Sequence, residues 1–342
     1  MYSESDIDGA VAAGAISSDA AAALRRHVAA AQAAPAVDEE HFRLLTGFND
    51  IFVSIAIALL LAALGQIGFS ISHGLGGAFV AAAAWMLALY FTARRRMALP
   101  SILLLLAFVG GVAAAIAGGI ESVWPRIDGT AGALAMAATG LIAAGAAWLH
   151  WRRFMVPITV AAGAAALVVV AIGLLTAAIP GIRQGVWPLL LVCGVAVFAL
   201  AMRWDMSDPQ RETRRADVAF WLHLAAAPMI AHPIFKMLGV FDGDIGAGIA
   251  VIVIALYLLF AGLALAVDRR ALLVSSLVYV LYALYSLFRS AGAVELGAAF
   301  TAFVIGSALL TLSAFWQPMR AMVVGWLSQP LRVKLPPVHQ PA

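Results

Sequence analysis

The sequence predicts an all-α integral membrane protein of about ten transmembrane helices, with both termini in the cytoplasm. Three observations carry this. First, 64% of the 342 residues are hydrophobic and 11% are charged, with a mean hydropathy of +0.98. An ordinary soluble domain carries about 25% charge, so a soluble globular enzyme, a disordered chain and a nucleic-acid binder with a basic surface are all excluded. Second, the apolar residues gather into runs close to the roughly 20 residues that cross a bilayer core. Third, the basic residues alternate between the connections in a strict pattern.

The first 49 residues form a cytoplasmic preamble. Ile7 and Val11 begin a short helix that Gly14 can end. Ser17 or Ser18 then caps an Ala-rich helix reaching Ala33, with Ile16, Ala20, Leu24 and Val28 on one face. Pro35 breaks it. Asp38 can cap a second short helix in which Glu39 and Arg43 pair at i, i+4. The acidic start lacks the basic and apolar regions of a cleaved signal, so the first apolar run is expected to direct insertion.

The spans follow over 51–69, 75–93, 99–120, 130–149, 155–178, 187–203, 217–236, 245–267, 271–288 and 295–316. In the third, Gly110, Ala114 and Gly118 recur every four residues, as do Gly111, Ala115 and Gly119; such small-residue rows let helices approach closely. Gln66 in the first is expected to bond across to a neighbouring helix. The seventh carries Pro228 and Pro233 and is expected to kink. The longest internal connection, 204–216, contains DMSDPQRETRR; it divides the helices six and four and reads as a seam between bundles. After 316, Met319, Met322, Val323, Trp326 and Leu327 fall on one helical face with Arg320 off it. This reads as an interfacial helix within a 317–342 segment that ends in a Pro-rich tail.

Orientation comes from Lys and Arg. With the N-terminus inside, 17 of the 21 lie in cytoplasmic segments, and each outer loop holds at most one, Arg126, Arg183, Lys236 or Arg289. That is the positive-inside pattern. Trp124, Trp148, Trp151, Trp187, Trp204 and Trp316 lie near span ends and read as interfacial belts.

Two short runs resemble a known group. VAAGAISSDAAAALRRH, from Val11 to His27, and DVAFWLHLAAAPMIAHPIF, from Asp217 to Phe235, are similar to segments of uncharacterised bacterial multi-pass membrane proteins with a short N-terminal cytoplasmic helical segment. The resemblance implies a bacterial inner (plasma) membrane location and no particular activity. In topology alone, ten helices with both ends inside resemble the drug/metabolite transporter superfamily, whose five-helix halves run in opposite senses.

The sequence shows little chemistry. HExxH, P-loop, GxSxG and paired-cysteine motifs are missing, and the single Cys193 excludes an intramolecular disulfide. No enzyme activity, cofactor or metal is expected. No Asp or Glu lies mid-span; Asp50, Asp217 and Glu295 sit at ends. Two polar features remain. On the seventh span His232 shares a face with Trp221, Ala225, Pro228 and Lys236, while His223 points elsewhere. His232 reads either as a proton-responsive or solute-contacting group beside a loosened backbone or as an interhelical hydrogen-bonding partner. On the ninth, Ser275, Tyr279, Tyr282, Ser286 and Arg289 form one polar edge. That edge reads as a cavity wall or as interhelical glue.

The reading that combines them is a secondary transporter or permease of a small solute, with a cavity near helices seven and nine lined by His232, Ser275, Tyr279, Tyr282, Ser286 and Arg289. The alternative is a non-transporting scaffold, sensor or assembly component whose N-terminal segment docks a cytoplasmic protein. Lys236, Asp242, Asp244, Arg289 and Glu295 form either an outer gate or a solvated rim. The bilayer is the expected partner in every case, and nucleic acid in none.

Overall fold

The computed structural model describes residues 4–24, 48–211, 213–240, 247–290, 297–332 and 335–336. The expected helix at Asp38, the acidic pair Asp242 and Asp244, Glu295 and the end of the Pro-rich tail lie outside these residues. The chain divides into two units, 1–43 with 339–342, and 44–338.

In the first unit, α1 spans Glu4–Ala12. Gly14 follows at φ +70°, a left-handed conformation that glycine adopts without steric cost. Ser17 Oγ then accepts from the Ala20 amide at 3.1 Å, which starts the helical residues 18–24.

In the second unit every regular element among the described residues is a helix. The long ones are α2 (Phe48–Ile71), α3 (His73–Phe91), α4 (Ala98–Val123), α5 (Gly129–Phe154), α6 (Ile158–Ala178), α7 (Val186–Met206), α8 (Arg214–Met237), α9 (Ala247–Val267), α10 (Ala271–Ser290) and α11 (Gly297–Ala314). A 3₁₀ turn, Pro180–Gly185, joins α6 to α7, and α12 (Trp316–Trp326) and the single turn α13 (Gln329–Arg332) close the chain. Among the described residues, eight helices are long and apolar enough to cross a membrane. Large apolar side chains such as Leu59, Met86, Leu141, Val192, Leu258 and Leu310 lie exposed on their outer faces. In water that surface would be very costly; in lipid it is solvated. This is a multi-pass membrane protein.

The helices form sequential antiparallel pairs, α3 on α4, α5 on α6, α7 on α8 and α9 on α10. The other substantial contacts of the second unit join helices one or two apart in the chain, save α9 with α12. The connection between α7 and α8 therefore joins a tightly packed pair and is not a seam; the looser junction is between α6 and α7. α7 continues through Trp204 to Met206, which shortens that connection by one turn.

Four connections at one end of the array carry the Arg-rich segments: α3–α4, α5–α6, α7–α8 and α9–α10. Each has one non-glycine residue in the left-handed region: Arg96, Met155, Arg211 and Asp268. Such residues cost roughly 1–2 kcal/mol each, so the tertiary contacts at that end must hold them. We call it the basic end.

α8 is central. Half of its most apolar stretch is buried, against 17% for α7, and its residues enter the apolar clusters on both sides. Close backbone packing follows from glycine at selected positions. A Cβ on Gly118 would lie 2.6 Å from the His73 carbonyl carbon, and one on Gly111 2.8 Å from the Ala81 amide. Gly110 and Gly119 face open space instead. Only the row through Gly111, Ala115 and Gly118 faces α3. Gln66 lies exposed on α2.

Candidate functional site

The C-terminal half of α8 carries two prolines, and the helix runs on through both without interruption. Pro228 and Pro233 lack amide hydrogens, so the carbonyls of Leu224 and Met229 lose their usual partners four residues on. α7 approaches there through Gly194: a Cβ would sit 2.8 Å from the Met229 carbonyl carbon and oxygen. Between Pro228 and Pro233, His232 is half-buried and turns to α10. Its Nδ1 lies 2.7 Å from the Tyr279 hydroxyl. The phenol donates when the imidazole proton is on Nε2 and accepts when it is on Nδ1.

The surroundings are aromatic and apolar. Trp187 meets the His232 ring edge-on at 5.1 Å between centroids. Tyr279 stacks on Phe235 at 4.3 Å and 17°, and Phe235 meets Phe260 edge-on. Trp187, read from sequence as a belt residue, therefore packs on the site. The pair sits within the cluster of Ala231, Phe235, Val253, Phe260, Val280 and Ala283.

The polar edge of α10 divides. Tyr279 is buried, Ser275 is half-buried, and Tyr282 is exposed on the helix surface. Ser286 and Arg289 belong to α10, but their side chains lie outside the described set. The structure thus brings His232 and Tyr279 together, while Tyr282 is exposed. A surface hollow of about 510 Å³ lies elsewhere, in the α4–α5 connection, lined by Val123, Trp124, Pro125, Arg126, Ile127 and Ala131.

A second constellation fills the basic end. Asp205, in the last turn of α7, is 3% exposed. Arg269 Nη2 donates to its Oδ1 at 2.6 Å, Arg269 Nε reaches Oδ2 at 3.3 Å, and His223 Nε2 lies 2.8 Å from Oδ2. Arg269 Nη2 also donates to the Ala216 carbonyl at 3.2 Å. Its neighbour Asp268 accepts from Arg211 Nη1 at 2.9 Å and from Trp316 Nε1 at 2.7 Å, with Arg320 Nε at 3.6 Å. Arg320 is fully buried and donates through Nη2 to the Pro336 carbonyl at 2.7 Å. Asp208 Oδ2 accepts from the amide and hydroxyl of Thr213 at 2.9 and 2.6 Å, which sets the start of α8. Two α-helical hairpins and α12 are thereby tied by buried, charge-assisted bonds. Arg211 lies outside the spans; burial and the nearby Arg269 draw its affinity for protons down, while Asp268 and Asp205 act the other way.

Sequence reasoning missed this cluster. It read the connection at 204–216 as a charged seam between bundles and Trp316 as a belt residue, and it placed Arg320 off the apolar face of an interfacial helix. It also passed over His150, which is fully buried on α5. His150 Nδ1 lies 3.3 Å from Thr159 Oγ1, and the Trp85, Phe108 and Phe154 rings surround it. The signal available was the presence of Asp205 and Asp268 among so many arginines, since an acid at a basic boundary has ready partners. Among the described residues no group of three His, Cys, Asp or Glu side chains could hold a metal.

No known protein family matches this chain, and neither a curated protein nor a solved structure does.

Proposed function

We propose that this protein is a secondary transporter or permease of a small solute in a bacterial inner membrane, spanning it about ten times with both termini cytoplasmic. One observation carries the reading: an imidazole and a phenol bonded to each other at 2.7 Å inside an apolar cluster, the imidazole on a helix that carries two prolines. Ionisable groups within membrane segments are expensive and tend to mark solute or proton pathways. Freed carbonyls next to them supply further acceptors. In this reading His232 and Tyr279 contact the solute or a coupled proton. Tyr282, Ser286 and Arg289 continue the polar edge of α10 toward the outer mouth, and Ser275 continues it toward the basic end. The span count adds α10 and α11 to the eight long apolar helices, and the sidedness follows the Lys and Arg alternation.

Cysteine accessibility tests it. Cysteines at positions 279 and 282, each in a Cys193→Ala background, are challenged with membrane-impermeant thiol reagents applied from either side. Both react in a transporter, because thiolates form only where water reaches. Resistance of both positions from both sides would refute transport.

The serial packing favours a second reading. Each helix but α12 leans mainly on its chain neighbours, an arrangement that suits a scaffold presenting long lateral faces, with the N-terminal segment docking a cytoplasmic protein. In a scaffold, position 279 stays unreactive and truncation of residues 1–43 abolishes assembly of a partner while leaving the membrane domain intact.

A further inference from the structure

We infer that α12 is a membrane-interface helix, lipid on its outer face, latched on its inner face to the α9–α10 connection through Trp316 and Arg320. The argument begins with which way the helix is turned. Trp316, Arg320 and Val324 are buried; they recur every four residues and so share one face. The opposite face carries Pro318, Ala321, Met322, Gly325 and Trp326, all exposed. Met322 is 56% and Trp326 78% exposed. That outward face holds no charged or hydrogen-bonding side chain except the amphipathic indole of Trp326. The only charged residue of α12, Arg320, points into the protein. A surface helix facing water has the reverse polarity, so the occupant of the outer face is apolar.

The position of the helix identifies that occupant. α11 and α12 meet at a bend of 78°; α11 exposes Phe303 and Leu310 along its length, and Phe315 at the bend is exposed too. If α11 runs along the membrane normal, α12 lies nearly in the membrane plane, at the basic end, continuing the same apolar surface. A helix with one apolar face at that level seats it roughly 5–10 Å into the headgroup and acyl boundary. Trp326 is the residue type that favours this depth.

The inner face is the latch. Trp316 Nε1 donates to Asp268 Oδ1 at 2.7 Å, and Arg320 bridges Asp268 and the Pro336 carbonyl. Arg270 lies over the Trp316 ring at 4.7 Å. Asp268 also holds Arg211. Seating of α12 in lipid is therefore linked to the α7–α8 and α9–α10 connections through one carboxylate.

The test uses the full-length protein in vesicles of phosphatidylethanolamine and phosphatidylglycerol, in a Cys193→Ala background. An environment-sensitive fluorophore on Met322→Cys should emit at blue-shifted wavelength and be quenched by lipids brominated near the glycerol end of their chains. Emission as in water, or disulfide cross-linking of two copies through position 322, overturns the lipid face. On the inner face, Val324→Cys should resist aqueous thiol reagents. Its reactivity should rise when Asp268→Asn or the milder Trp316→Phe removes the latch, and also when Met322→Asp repels the helix from lipid. Reactivity of position 324 in the parent, or no change with Trp316→Phe, overturns the latch; no change with Met322→Asp overturns the coupling.

Discussion

Asp205→Asn should be among the most damaging conservative changes in the protein. The substitution keeps the shape of the side chain and one acceptor oxygen, but removes the negative charge. Arg269, 5% exposed, would then face a neutral amide through the 2.6 and 3.3 Å contacts it now makes to a carboxylate. Leaving one buried charge without its partner costs about 3–5 kcal/mol, or a loss of about 10² to 10³-fold or more in the folding equilibrium. The same principle gives the control. Removing both charges, with Asp205→Asn and Arg269→Met together, should recover most of the loss, because a buried pair has little net value over apolar side chains of similar volume. The assay is reversible unfolding of the purified protein in mixed micelles by increasing anionic detergent, followed by circular dichroism. A single-variant loss below about 0.5 kcal/mol, the range of ordinary surface substitutions, would refute the buried-charge argument. A double variant as damaged as the sum of the singles would refute the pairing.

Tyr279→Phe removes only the hydroxyl and keeps the ring stacked on Phe235. Interhelical hydrogen bonds in membranes average about 0.6 kcal/mol, so the same unfolding assay should register a loss near that size; a loss several times larger would make the pair a structural requirement in place of a functional one. Gly118→Ala and Gly119→Ala are adjacent and chemically identical changes. The first forces a methyl to within 2.6 Å of the His73 carbonyl and should cost about 1–3 kcal/mol. The second meets open space and should be neutral or slightly stabilising. Equal effects at both positions would contradict the packing of α3 on α4. Gly194→Ala should behave like the first, because its Cβ meets Met229 at 2.8 Å.

How much was legible in advance differs by feature. The helices of the second unit follow the apolar runs closely, since a stretch of about 20 apolar residues has one stable backbone form in lipid. Gly14 and Ser17 marked their turn for a local reason, the left-handed φ of one and the side-chain oxygen of the other. The contact of His232 with Tyr279 was half visible: both residues stood out, but on separate helices, and nothing in either helix placed one opposite the other. The ion cluster was not visible. An arginine at a helix end satisfies the membrane boundary equally well whether it is solvated or buried against an aspartate, so Arg211, Arg269 and Arg320 carried no mark of their partners.

The sequence by itself therefore determined the class, the helices and the pattern of basic segments, because hydropathy acts on each segment separately against the bilayer. Only the tertiary structure decided which charges are shared, which glycines are contacts, and which face of α12 turns inward. Of the apolar stripe read from the sequence, Met322 and Trp326 are exposed while Met319 and Val323 pack against the cluster around Trp316, because which face turns inward depends on the neighbours. A helix directs its apolar face away from water, and Arg320 found in Asp268 and the Pro336 carbonyl a better environment inside the protein than the membrane surface offers. Those partners lie 52 residues before it and 16 after it in the chain, and only folding brings them together.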